Sequence, residues 1–200
     1  MNDWDEWVSL YKCHRKLRDE VGDSLESDLR SRLIELAKRG HCLRNIQGRF
    51  TSRRCGPLEE LYIRPIGGAP QGSEALTGLA GFATAQLTLL ALCNPRTNHL
   101  HQFTAMLSGL ATDGTARAIA VHLEDDSEDD MKGDGACSHA PLHCHVGPTL
   151  DALPKVRVPL PPISPLAAFD WLLSMGVPGW ETAPWDAVRR ALEEEEGMLK

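Results

Sequence analysis

Trp4, Trp7, Tyr11, His14 and Leu17 recur every three or four residues, the spacing of one helical face, and predict a helix over residues 3–20. Gly22 breaks it. Asp23 or Ser24 can cap a second helix whose stripe is Leu25, Leu29, Leu33 and Leu36, with Gly40 as its stop. The two read as an antiparallel helical pair over residues 1–40. From residue 41 the pattern shortens: Leu61, Tyr62, Ile63 and Ile66 follow the turn Cys55-Gly56-Pro57, which predicts two short strands around it.

Residues 67–72 (GGAPQG) form a loop, and a third helix is predicted over residues 74–93, ended by Asn94-Pro95. Ser73 is its expected N-cap, with Glu74 beside the positive end of the dipole. Residues 75–93 carry no formal charge, close to the ~20 residues that a membrane span needs. Thr77, Thr84, Gln86 and Thr88, with many glycines and alanines, favour a buried core helix instead.

The clearest strand pattern is residues 99–107 and 116–123, joined through Thr112-Asp113-Gly114-Thr115. Pairing Thr112 with Thr115 sets His122 opposite Ala105, on one face with His99 and His101. Residues 124–134 hold seven carboxylates against Lys132 and read as a solvated loop. Residues 142–146 form a strand, and Val156, Val158 and Leu160 an extended piece that Pro159, Pro161 and Pro162 confine to an edge. Ser164-Pro165 starts a helix with the stripe Leu166, Phe169, Leu172 and Leu173, and Pro184 opens a last one. The expectation is a single α+β domain. It has a mainly antiparallel sheet and one central buried helix (residues 41–160) between the N-terminal helical pair and two C-terminal helices (residues 163–200).

Composition adds limits. A 42% hydrophobic, 24% charged chain of 200 residues is globular in class, and its net charge of −7 argues against a dedicated nucleic-acid binder. No apolar run follows a basic start near residue 1, and six cysteines lie without a CxxC pair, so a cytoplasmic protein with free thiols is expected, without a membrane segment.

The candidate chemistry is histidine. Six of the eight histidines fall between His99 and His145, including the pairs His99/His101 and His143/His145. Alternate residues of a strand share a face, so each pair can present two imidazoles to one ion. With Cys137 and His139 upstream, Cys137, His139, His143 and His145 form a candidate zinc set. The same alternation describes a half-buried strand with a polar face, which needs no metal. Within the 99–123 hairpin His101 and His122 lie too far apart to chelate together, so a site must join one pair to a neighbouring strand.

Lys38, Arg39, Arg44, Arg49, Arg53 and Arg54 form a basic stretch without an acid; Arg44, Arg49, Arg53 and Arg54 are candidates for anion or RNA phosphate contact. Cys55, beside Arg53-Arg54, is a weaker candidate nucleophile. No phosphate loop or GxSxG elbow occurs, the PxxP spacings of 159–165 read as a connector, and no motif is specific enough to name a family. The leading expectation is an intracellular accessory domain that binds a partner protein, with Trp180 and Trp185 as a possible exposed patch and zinc on the histidine face. The alternative is a zinc-dependent hydrolase using Cys137, His139, His143 and His145.

Overall fold

The computed structural model describes residues 25–97, 99–124, 142–148, 157–160 and 163–181. Three helices occur among the described residues: α1 (Leu25–Lys38), the single turn α2 (Ile46–Arg49) and α3 (Pro165–Ser174). Eight strands accompany them: β1 (Phe50–Cys55), β2 (Leu58–Ile63), β3 (Ser73–Leu76), β4 (Phe82–Cys93), β5 (Leu100–Ala111), β6 (Ala116–Glu124), β7 (Leu142–Gly147) and β8 (Arg157–Pro159). They form one antiparallel sheet in the order β1-β2-β4-β5-β6-β7-β8, with β3 beside the first half of β4. The protein is therefore sheet-dominated, and the expected helix-rich α+β arrangement with five helices is corrected.

The largest departure from that expectation lies where a central helix was expected. Residues 73–76 and 82–93 are strands, separated by a turn in which Gly78 and Gly81 hold φ of 69° and 76°. Such left-handed positions suit glycine and end regular structure. In β4, Ala85, Leu87, Leu89 and Ala91 are buried while Gln86, Thr88, Leu90 and Leu92 are half-buried, a period of two rather than 3.6. Ser73 caps no helix: its hydroxyl donates to the Pro70 carbonyl and accepts from Gln86 Nε2. Glu74 faces no dipole either, since its carboxylate pairs with Arg49. Among the described residues no helix is long and apolar enough to cross a membrane.

Other elements match their sequence patterns. Leu25, Leu29, Leu33 and Leu36 of α1 are all buried. Ser164 caps α3 by accepting from Ala167 N at 3.1 Å, with Pro165 at the first turn. The expected helices over residues 3–20 and after Pro184 lie outside the described residues.

The sheet buries one face more deeply than the other. Leu61, Leu87, Leu89, Ala91, Phe103, Ala105, Leu107, Ile119, Val121, Leu123, Leu142 and Cys144 share it, and α3 packs there against β5 and β6. α1 joins the same core beside α3, tied by the Arg32 guanidinium to both oxygens of Asp170 at 2.9–3.2 Å. Trp180 Nε1 donates to the same carboxylate at 3.0 Å. Trp180 is thus buried against the core and offers no exposed patch; Trp185 lies outside the described residues.

The β5–β6 hairpin departs from its expected register by one residue. Thr104, not Ala105, stands opposite His122. The turn has three residues instead of two: Ala111 N donates to Thr115 O at 2.8 Å, and Gly114 takes a φ of 81°. A shift of one residue moves every side chain of the strand to the other face.

Gly109 of β5 tests this packing. A Cβ there would lie 2.0 Å from the Thr84 carbonyl oxygen on β4. Gly109→Ala is expected to destabilise the fold by about 3 kcal/mol, the upper part of the usual overpacking range. Chemical denaturation checks it; an unchanged midpoint would refute the close approach.

Candidate functional site

The corrected register brings three imidazoles together. His143 and His145 alternate with Leu142, Cys144 and Val146 along β7, so both leave the core face. His122 of β6 stands directly opposite His143 and shares that second face. Ring centroids lie 4.8 Å apart for His143/His145, 4.9 Å for His122/His145 and 5.8 Å for His122/His143. His143 is 2% exposed, and the other two are half-buried. Thr104 Oγ1, from the opposite position on β5, lies 3.2 Å from His122 Nδ1. If Nδ1 carries the hydrogen and donates it to Thr104, Nε2 keeps its lone pair, the state that a metal ligand needs.

These spacings can be set against a metal's demands. Three imidazoles around a tetrahedral zinc, with nitrogens at about 2.0–2.1 Å, hold their ring centres about 5 Å apart. The ring positions meet that spacing. The donor atoms as placed do not yet form a ligand set: among the described residues no group of three His, Cys, Asp or Glu side chains could hold a metal ion as it stands. Cys137 and His139 lie outside the described residues. His99 and His101 form a separate edge-to-face pair, 4.8 Å between centroids, at the start of β5.

His122 is the member that sequence reasoning missed. Its signal was the requirement that a neighbouring strand complete the His143/His145 pair, together with the residue count of the turn, which decides its face.

The four arginines do not converge. Arg49 is buried, pairs with Glu74 and donates to the Arg64 carbonyl from Nε and Nη2 at 3.1 and 2.8 Å. Arg53 pairs with Glu60 and lies over the Tyr62 ring, 5.3 Å from its centroid. That hydrogen bond to Glu60 raises the Arg53 pKa. Arg54, next along β1, turns back to the Gly56 carbonyl at 3.2 Å, and Arg44 is exposed in the loop after α1.

Cys42, Cys55, Cys93 and Cys144 are free thiols. Burial pushes Cys42 up to about 12, aided by the Glu74 charge and opposed by Arg49. Burial likewise takes Cys93 to about 11 and raises Cys144. No family model, curated protein or solved structure matches the chain.

Two outcomes follow for the thiols. Iodoacetamide at pH 8 is expected to alkylate the exposed Cys55 and to spare Cys42, Cys93 and Cys144 until the protein unfolds, because the thiolate is the reacting form. Peptide mass mapping reads this, and equal labelling of Cys42 and Cys55 would contradict it. A raised thiol pKa also favours the protonated folded state. The Cys42 contribution to stability is therefore full below pH 9.0, its unshifted value, and is lost as pH rises towards about 12. Denaturation midpoints should fall over that window and fall less in Cys42→Ala.

Proposed function

We propose that this protein is a metal-carrying interaction domain in which His122, His143 and His145 hold one zinc ion on the second face of the sheet. The observation that supports this reading is the grouping of three imidazoles from adjacent strands at centroid separations of 4.8–5.8 Å. Strand pairing already fixes the three backbone positions, so closing the ligand set is a matter of side-chain rotation. The fourth ligand is water or a donor from Cys137 or His139. Zinc is favoured over harder ions because imidazole is a borderline ligand.

The metal's task in this reading is to clip β7 to β6 and to stiffen the sheet for a protein partner. Exposed Val146 and Val158, on the last two strands, support such a partner surface. The free thiols of Cys42, Cys55, Cys93 and Cys144 among the described residues support a reducing, cytoplasmic setting.

Metal analysis of the purified full chain, with zinc titration of the metal-stripped protein, tests the site. One zinc per chain is expected, together with a tetrahedral cobalt spectrum on substitution. His122→Ala and the double variant His143→Ala/His145→Ala should lose the ion. At a free zinc concentration of 100 times Kd the wild type should gain about 2.7 kcal/mol of stability. A folded wild type that takes up no zinc, or a His122→Ala variant with undiminished affinity, would sink the proposal.

A further inference from the structure

A second concavity lies at the β3 edge of the sheet, three strands away from His122. It is a cleft of about 480 Å3 between the loop after α1, the turn before β3, and β3 itself. That volume is in the range of small-molecule sites. Arg49 and Glu74 lie among its lining residues, with side chains 9% and 3% exposed. Leu43 and Ile66, 54% and 48% exposed, stand with Ala69 and Ala75 as its apolar walls.

The ion pair is only partly satisfied. Arg49 uses Nη1 on Glu74 and Nε and Nη2 on the Arg64 carbonyl, three of its five N–H donors. The Glu74 carboxylate, with about four acceptor sites, receives Arg49 and, at a long 3.4 Å, the Leu43 N–H. Buried charged groups gain from each further hydrogen bond they complete. The rim is held in place independently of the pair. His41 Nδ1 lies 2.8 Å from the Thr77 carbonyl, and Thr77 N donates to the His41 carbonyl at 2.9 Å.

We propose that this cleft binds a small neutral molecule that joins a carboxamide-type head to a compact apolar body. The head offers an N–H to the Glu74 carboxylate and a carbonyl to the spare Arg49 donors, while the body covers Leu43 and Ile66. Charge selects the class. The pair is neutral as a unit, so an anionic head meets Glu74 and a cationic head meets Arg49, each at a site with little water to screen the repulsion. The Cys42 thiol in the same wall stays protonated and adds no charge.

Three probes with one body and different heads test the proposal on the full chain: cyclohexanecarboxamide, cyclohexanecarboxylate and cyclohexylmethylammonium. In NMR titrations the carboxamide is expected to shift the backbone amides of Leu43, Ile66, Ala69 and Ala75 saturably, with Kd of about 1 mM. The charged probes should bind about tenfold more weakly or worse. Ala75→Phe, at an exposed position of β3, should fill the cleft and weaken carboxamide binding about tenfold with an unchanged melting temperature. If that variant melts early, Leu43→Ser, which trims the rim at an exposed residue, should still weaken binding about threefold. Failure of the carboxamide to shift those four amides, equal binding of all three heads, or undiminished binding in a folded cleft variant would each overturn it. None of these readouts involves zinc or the histidines.

Discussion

The parity of one turn governs the arrangement of this sheet. Three residues, not two, lie between the bonded residues Ala111 and Thr115 that close the β5–β6 hairpin, and the turn is held by Gly114 in a left-handed conformation and by Asp113. The Asp113 carboxylate accepts from Thr115 N and Thr115 Oγ1 at 2.9 and 2.6 Å. Those Thr115 hydrogen bonds lower the carboxyl's pKa and keep the acceptor charged. With this count, Ile119, Val121 and Leu123 meet Leu107, Ala105 and Phe103 in the core. The hydrophobic pattern and the turn therefore select the same register. Slipping the strand by one residue would carry His122 into the core and three aliphatic side chains out of it. β7 inherits the register through its own pairing with β6, and the grouping of the histidines follows from it.

Local signals made much of the fold legible. The leucine stripe of α1, the Ser164-Pro165 start of α3 and the Cys55-Gly56-Pro57 turn each need only neighbouring residues to be read, and each has a single physical interpretation. Residues 82–93 have two. Leucine and alanine fill the buried face of β4 from Ala85 to Ala91, and Leu90 and Leu92 add leucine to the other face, so the uncharged run can be read with a period of two or of 3.6. Its threonines and Gln86 were the better guide, since they fall on every second residue from Thr84 to Thr88. The partner of Glu74 is a further kind of case: Arg49 lies 25 residues away and on another element. No local rule joins two such residues. The candidate site divides along the same line. His143 and His145 were legible because alternation alone puts them on one face. His122 was not, because its face depends on a turn length that an Asp-Gly pair leaves open.

The two faces of the sheet carry different chemistry for a reason that begins in composition. His122, His143, His145, Thr104, Gln86, Thr88, Ala118 and Ala120 stand on one face, and Leu87, Leu89, Phe103, Leu107, Ile119, Val121 and Leu123 on the other. Ala118 and Ala120 leave room beside His143 and His145 that a larger aliphatic side chain would fill. Glu74, paired across from Leu87, belongs to the opposite, core-facing side. Its charge is tolerated there because Arg49, itself held by the Arg64 carbonyl, pairs with it where the sheet gives way to α2.

The imidazole group and the cleft are set apart by distance across the sheet. β3 and β6 are separated by β4 and β5, which at about 4.8 Å per strand puts them some 14 Å apart; Glu74 lies on the core face, while Ser73 and Ala75 share the face of His122. Between β3 and β6 lie Leu87, Leu89, Ala105 and Leu107 on the core face and Gln86, Thr88, Ser108 and Thr104 on the other, where Gln86 Nε2 donates to Ser73 and Thr104 Oγ1 approaches His122 Nδ1. The backbone connection between the two runs through the register of β4 and β5. Gly109, pressed against the Thr84 carbonyl, and the irregularity between Leu92 and Cys93 fix that register near the two ends of the pairing. A register fixed near both ends resists sliding of β4 against β5, since each one-residue slip would carry buried side chains to the other face.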